Sequence, residues 1–137
     1  MAASIPASTP AQSVHELVGG EPFFTRLVDQ FYEGVANDPA LLPLYPEQPE
    51  LAPARRRLTL FLVQYWGGPG TYAEERGHPR LRMRHAPFAI GTLQRDRWLV
   101  HMSAALDDVG AELSSDLRDQ LGAYFTMAAD AMRNTSD

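Results

Sequence analysis

The stretch that organises the reading of this chain is Gly77-His78-Pro79-Arg80-Leu81-Arg82-Met83-Arg84-His85-Ala86-Pro87-Phe88-Ala89-Ile90. It sets His85 on a short, arginine-rich turn that Pro87 closes. A neutral imidazole in that position can reach a metal. The neighbouring arginines suit an anionic edge, because a guanidinium meets carboxylates with a fork of donors. Tyr65-Trp66-Gly67-Gly68-Pro69 stands upstream and Trp98 downstream.

Around that stretch the chain has 137 residues, 45% of them hydrophobic, which is enough for one domain with its own core. Wholesale disorder is excluded. No apolar run approaches the roughly 18 residues of a membrane helix, so a membrane is not an expected partner. Residues 1–12 are small, uncharged and dotted with Pro and Ser, and are read as a flexible tail rather than a signal peptide. The domain is placed at 13–134, with a short tail at 135–137. The lack of cysteine removes disulfides, thiolate catalysis and Cys-based zinc sites. A cytoplasmic protein is the expectation.

The net charge of −5 is unevenly spread. All twelve basic residues are arginine, and nine fall between Arg55 and Arg97, where the acids are Glu74, Glu75 and Asp96. That window carries +6 and the remainder −11. It suits a basic rim for a small anion as well as ordinary solvated faces. Nucleic acid is not an expected partner, since the overall charge repels phosphate and no recognition motif is present.

Hydrophobic periodicity predicts helices throughout. Pro22 to Ala36 carries Phe24, Leu27, Val28, Phe31 and Val35 on one stripe, with Tyr32 beside it. Asn37-Asp38-Pro39 ends that helix and begins a short one through Leu44. Ala54 to Trp66 is the next helix, stopped by Gly67-Gly68-Pro69-Gly70. Thr71–Pro79 has no period and is expected to be irregular, followed by a short helix from about Arg80 to His85. Gly91-Thr92 starts a long helix to about Val109. Ser114 or Ser115 caps a last one, with Leu117, Leu121, Tyr124, Phe125, Ala128 and Met132 on one side. No alternating strand pattern competes. The fold class is all-α.

Among the four histidines, His15 sits near a terminus and His78 precedes Pro79, where bonding to nearby backbone is the plain reading. His101 lies three residues after Trp98 and is a secondary metal candidate or a structural residue. No phosphate loop, nucleophile elbow or His-Glu-x-x-His helix is present.

The run from Tyr65 through His85, with Trp98 beyond it, resembles the group II truncated haemoglobins, small globins of bacteria and plants. The resemblance spans roughly Val14 to Met132. It implies a two-over-two helical sandwich around haem b (iron protoporphyrin IX), with His85 as the iron ligand through Nε2. Nδ1–H of His85 would then need an acceptor, expected in a backbone carbonyl of the preceding turn. Arg84 resembles the arginine that binds the haem propionates, and Tyr72 adds a hydroxyl at the same edge. Phe61, Leu62, Met83, Phe88 and Met127 are implied to line or back the porphyrin, although plain core packing accounts for them equally well.

On the opposite side the resemblance matches Tyr32, Tyr45 and Trp98 to distal hydrogen-bond donors. Thirteen residues separate Tyr32 from Tyr45, and His85 from Trp98. Ala54 takes the place of the usual globin distal histidine, with Leu58 one turn later. The implied function is reversible O2 binding, with NO, CO, peroxide and sulfide as further small ligands. Donors aimed at the ligand predict slow O2 release. A haem-dependent peroxidase or nitric oxide dioxygenase, drawing electrons from an unknown reductase, is the enzyme alternative, and a gas sensor is the third. The sequence leaves homo-oligomer formation open.

Overall fold

The computed structural model describes residues 12–45, 48 and 50–135, and among these it contains α-helices and no strand. Of the expected tails, residues 1–11, 136 and 137 lie outside the described residues. Among the described residues, no helix is long and apolar enough to cross a membrane.

The first long helix, Glu21–Val35, is α2, after a single turn α1 at Val14–Leu17. Gly20 precedes α2 at φ 83, a left-handed value that favours glycine, and Pro22 occupies its first turn, where a missing N–H costs nothing. Phe24, Leu27, Val28, Phe31 and Val35 are all fully buried, so the stripe read from the sequence is the stripe that packs. Burying each such side chain contributes about 1.5–3 kcal/mol. Helix α3, Ala52–Tyr65, lies against α2, and α6, Thr92–Val109, packs on α2 and on α7, Ser115–Ala131. These four helices form the two-over-two sandwich. Ser114 caps α7 by accepting from Leu117 N at 3.2 Å, and Gly91 N donates to Gln94 Oε1 at 3.0 Å at the start of α6.

Two segments differ from the sequence reading. Thr71–Arg76 is helical (α4), where an irregular stretch is expected. Only Tyr72 of this turn is buried, edge-on to Phe61 with ring centres 5.6 Å apart, so there is no periodicity to detect. Tertiary contact makes the helix: Gln64 Oε1 of α3 accepts from Ala73 N at 2.9 Å. The second difference is α1. Ser13 Oγ accepts from Glu16 N at 3.2 Å, and Glu16 Oε1 accepts from Ser13 N at 3.1 Å, a reciprocal cap.

His15, near the terminus, is held in place from two sides. Its backbone N–H donates to Trp66 O at 2.9 Å, and its ring stacks on Phe24. Gly67 and Gly68 thus do more than stop α3. A Cβ at Gly68 would collide with the His15 ring, and one at Gly67 with the Ser13 side chain.

Candidate functional site

Helix α5, Leu81–His85, presents His85 to an interior cavity of about 360 Å³. That volume falls in the range of small-molecule and cofactor sites, about 300–1,000 Å³. The loop before α5 is set by polar contacts. Arg84 donates from Nε to Pro79 O at 2.7 Å, and from Nη2 to Arg76 O at 2.8 Å and His78 O at 3.3 Å. His78 Nδ1 accepts from Arg80 N at 3.1 Å. These bonds hold Arg80 at φ 45, a left-handed conformation that costs a non-glycine residue about 1–2 kcal/mol.

His85 Nδ1 lies 2.7 Å from Leu81 O. A carbonyl oxygen can only accept, so Nδ1 carries the proton and Nε2 of the neutral ring keeps its lone pair. The turn after His85 is held from the far end of the chain. Asn134 accepts from Ile90 N at 2.8 Å, donates to Phe88 O at 2.7 Å and His85 O at 3.3 Å, and its own N–H donates to Ile90 O at 2.8 Å.

The rest of the cavity wall is mostly apolar and aromatic. Tyr32 comes from α2, Tyr45 from the turn that follows the 3-10 segment Leu42–Leu44, and Trp98 from α6. Tyr32 and Tyr45 meet edge-on with ring centres 5.5 Å apart. Burial pushes the Tyr45 phenol up to about 12 and raises that of Tyr32 well above its ordinary value. Both are therefore protonated, donor-capable hydroxyls at neutral pH. Trp98 is wedged between Phe31 at 5.1 Å and Phe125 at 6.1 Å.

Of the residues singled out from the sequence, Ala54, Leu58, Phe61, Leu62, Tyr72, Arg84 and Phe88 line this cavity together with His85 and the three donors. Met83 and Met127 do not, and both are exposed, at 57% and 58%. Helical geometry gives the reason: a residue two positions along is rotated by about 200°. Leu81 and His85 share the inner face of α5, which turns Met83 outward. On α7 the inner face carries Phe125 and Ala128, which turns Met127 away.

His101 lines no part of the cavity; its Nε2 pairs with Asp38 Oδ2 at 2.6 Å. Sequence reasoning missed Arg57, Arg76 and Arg95, which join Arg84 in the wall, and it placed Phe125 and Ala128 in the core stripe without assigning them to a site. The stripe itself was the available signal for α7. For the arginines, the concentration of positive charge between Arg55 and Arg97 was the signal, without indicating which of them turn inward. Among the described residues, no cluster of three His, Cys, Asp or Glu side chains could hold a metal by itself. The site thus offers one bare imidazole nitrogen, a slot with apolar walls, arginines for an anionic edge, and aromatic donors.

A profile of the bacterial-like globins matches residues 13–134. The group 2 truncated hemoglobin YjbI of Bacillus subtilis is 42% identical over 118 residues, covering 86% of either chain. A thermostable hemoglobin from Thermobifida fusca superposes with a TM-score of 0.87 at 58% identity, over 92% of this chain and 100% of that one. The group II truncated hemoglobin of Bacillus anthracis gives a TM-score of 0.85 at 38% identity, over 93% and 100% of the respective chains. The chain belongs to the bacterial-like globin family and is a truncated haemoglobin of group II.

Proposed function

We propose that this protein binds haem b through His85 and uses it to take up O2 reversibly, releasing it slowly. The observation that carries the reading is the Nε2 lone pair of His85, fixed by the 2.7 Å bond to Leu81 O and presented to a cavity that Tyr32, Tyr45 and Trp98 also line. The residues present fit the group. One neutral imidazole serves as axial ligand, the apolar wall accepts a flat macrocycle, and Arg57, Arg76 and Arg84 offer positive charge for its carboxylates. When bound, haem supplies an iron that coordinates diatomic ligands.

The chain's own residues then decide how long a ligand stays. The Tyr45 hydroxyl and the Trp98 indole N–H are donors in an apolar pocket, where a hydrogen bond is stronger than in water. Tyr32 positions Tyr45 through their edge-on ring contact. A hydrogen bond to a charged partner contributes about 1.5–3 kcal/mol, which corresponds to roughly 10- to 100-fold slower release.

The test is stopped-flow O2 release from the ferrous protein, compared with Tyr45→Phe and Trp98→Phe. Faster release in the variants supports the reading. Unchanged release in both removes the distal assignment.

A further inference from the structure

Tyr32, Tyr45 and Trp98 reach the cavity from three different segments, which raises the question of what fixes the segments to one another. They meet at the carboxylate of Asp38, which is 4% exposed although it bears a charge. Asp38 lies three residues past the end of α2, with its N–H donating to Val35 O at 3.0 Å. Its Oδ1 accepts from Ala40 N at 2.9 Å, and its carbonyl accepts from the N–H groups of Leu41 and Leu42. That opens the turn whose backbone bonds run on to Tyr45, whose N–H donates to Leu42 O at 3.0 Å.

The other carboxylate oxygen faces α6. Oδ2 accepts from Arg97 Nε at 2.9 Å and pairs with His101 Nε2 at 2.6 Å. These two residues bracket Trp98 on α6: Arg97 immediately precedes it and His101 lies one turn later. The His101 ring sits against Gly34 of α2, where any side chain would collide with it. One carboxylate therefore ties the end of α2, the Tyr45 turn and the Trp98 helix. A buried ion pair is a weak source of net stability, because desolvation offsets much of the attraction. Its specific effect is to hold one arrangement of the elements it joins, since a shifted carboxylate would be left buried without partners.

We propose that Asp38 is a positioning residue of the distal pocket. It sets the placement of the Tyr45 hydroxyl relative to the Trp98 indole, and through that placement the retention of ligand. This inference rests on the haem reading above.

The test compares Asp38→Asn, His101→Leu and His101→Gln in the full chain reconstituted with haem. Three readouts are taken: O2 release, the stretching frequency of bound carbon monoxide as a probe of nearby donors, and amide hydrogen exchange over 38–45. Asp38→Asn and His101→Leu are expected to release O2 about three- to tenfold faster, by loss of one well-placed hydrogen bond. They also shift the carbon monoxide band and speed exchange over 38–45. His101→Gln keeps a donor for the carboxylate and stays near the parent.

If these variants only lower thermal stability while release and the carbon monoxide band stay unchanged, Asp38 is a structural contact and the proposal fails. It fails equally if His101→Gln behaves like His101→Leu. Should Asp38→Asn not fold, the His101 pair decides alone. A chain that gives no Soret band with haem contradicts the haem reading instead. Exchange over 38–45 then still decides whether Asp38 holds that turn, and unchanged exchange overturns it.

Discussion

His85 donates from Nδ1 to the carbonyl of Leu81, four residues earlier on the same short helix, at 2.7 Å. The bond has two effects: it selects the tautomer that leaves Nε2 bare, and it restrains rotation of the ring about its own side-chain axis. Both follow from backbone geometry, so substituting Leu81 leaves the acceptor in place. What can disturb the arrangement is any change that lets α5 move. Two side chains outside that hydrogen bond prevent such movement, Arg84 on the amino-terminal side and Asn134 beyond the turn that follows.

Arg84→Leu removes three donations to the carbonyls of Arg76, His78 and Pro79. The left-handed Arg80 keeps its own donation to His78 Nδ1, but the loop on either side of it is loosened. Stability should fall by about 1–3 kcal/mol, the range for losing charge-assisted hydrogen bonds at a half-buried site. Haem should transfer to an acceptor protein faster than from the parent. Urea unfolding and transfer kinetics measure both effects.

Asn134→Ala removes the side-chain bonds to Ile90 N, Phe88 O and His85 O. The expected cost is about 1–3 kcal/mol. Amide exchange over 86–90 should quicken while α2 keeps its protection. Exchange measured by mass spectrometry checks the locality; uniform quickening would mean that Asn134 supports the whole fold rather than the turn.

Ala54→Leu adds bulk at a cavity-lining position that is 4% exposed. Overpacking of this kind costs about 1–3 kcal/mol where the surroundings cannot give way. Here it should also slow carbon monoxide binding, because the added side chain occupies ligand space one turn from Leu58. Leu58→Ala should have the opposite effect. Flash photolysis reads both rates.

Acid stability depends on Asp38. The hydrogen bond from His101, with further help from Ala40 N and Arg97, holds its carboxyl at about 2 rather than its ordinary 3.8. A depressed carboxyl stabilises the fold above the unfolded-state value, and this contribution disappears as pH falls from about 4 towards 2. Its size is about 1–2 kcal/mol after allowing for solvent screening. The urea midpoints of the parent and Asp38→Asn should therefore differ fully at pH 6, by about half as much near pH 3, and converge only as pH falls to about 2 and below. A constant gap would mean that the carboxylate charge is not what stabilises.

The helices were legible in the sequence wherever burial is one-sided and long enough to repeat. The Phe24–Val35 stripe of α2 and the Leu121–Met132 stripe of α7 are the clearest cases. Helix α4 was not legible, because one buried residue, Tyr72, makes no pattern and its remaining support comes from Gln64 on another helix. The cap of α1 was written locally as Ser13-x-x-Glu16, although its docking depends on distant Gly67 and Gly68.

Within the site, His85, Tyr32, Tyr45 and Trp98 were implied by the family resemblance, and the fold brings all four to one cavity. Met83 and Met127, which the resemblance implied for the wall, fall on the outer faces of α5 and α7 by helical phase. The Asp38 node was invisible, since its partners are 59 and 63 residues away in the chain.

The central claim is that a single imidazole, His85, holds the haem. The direct measurement is a spectroscopic titration of the purified chain and of His85→Gly with haem, each followed by added imidazole. The account predicts a Soret band at one haem per chain for the parent, much weaker haem retention by His85→Gly, and recovery of the parent-like spectrum when imidazole fills the space. A His85→Gly protein that retains haem with the parent spectrum and without imidazole would contradict it.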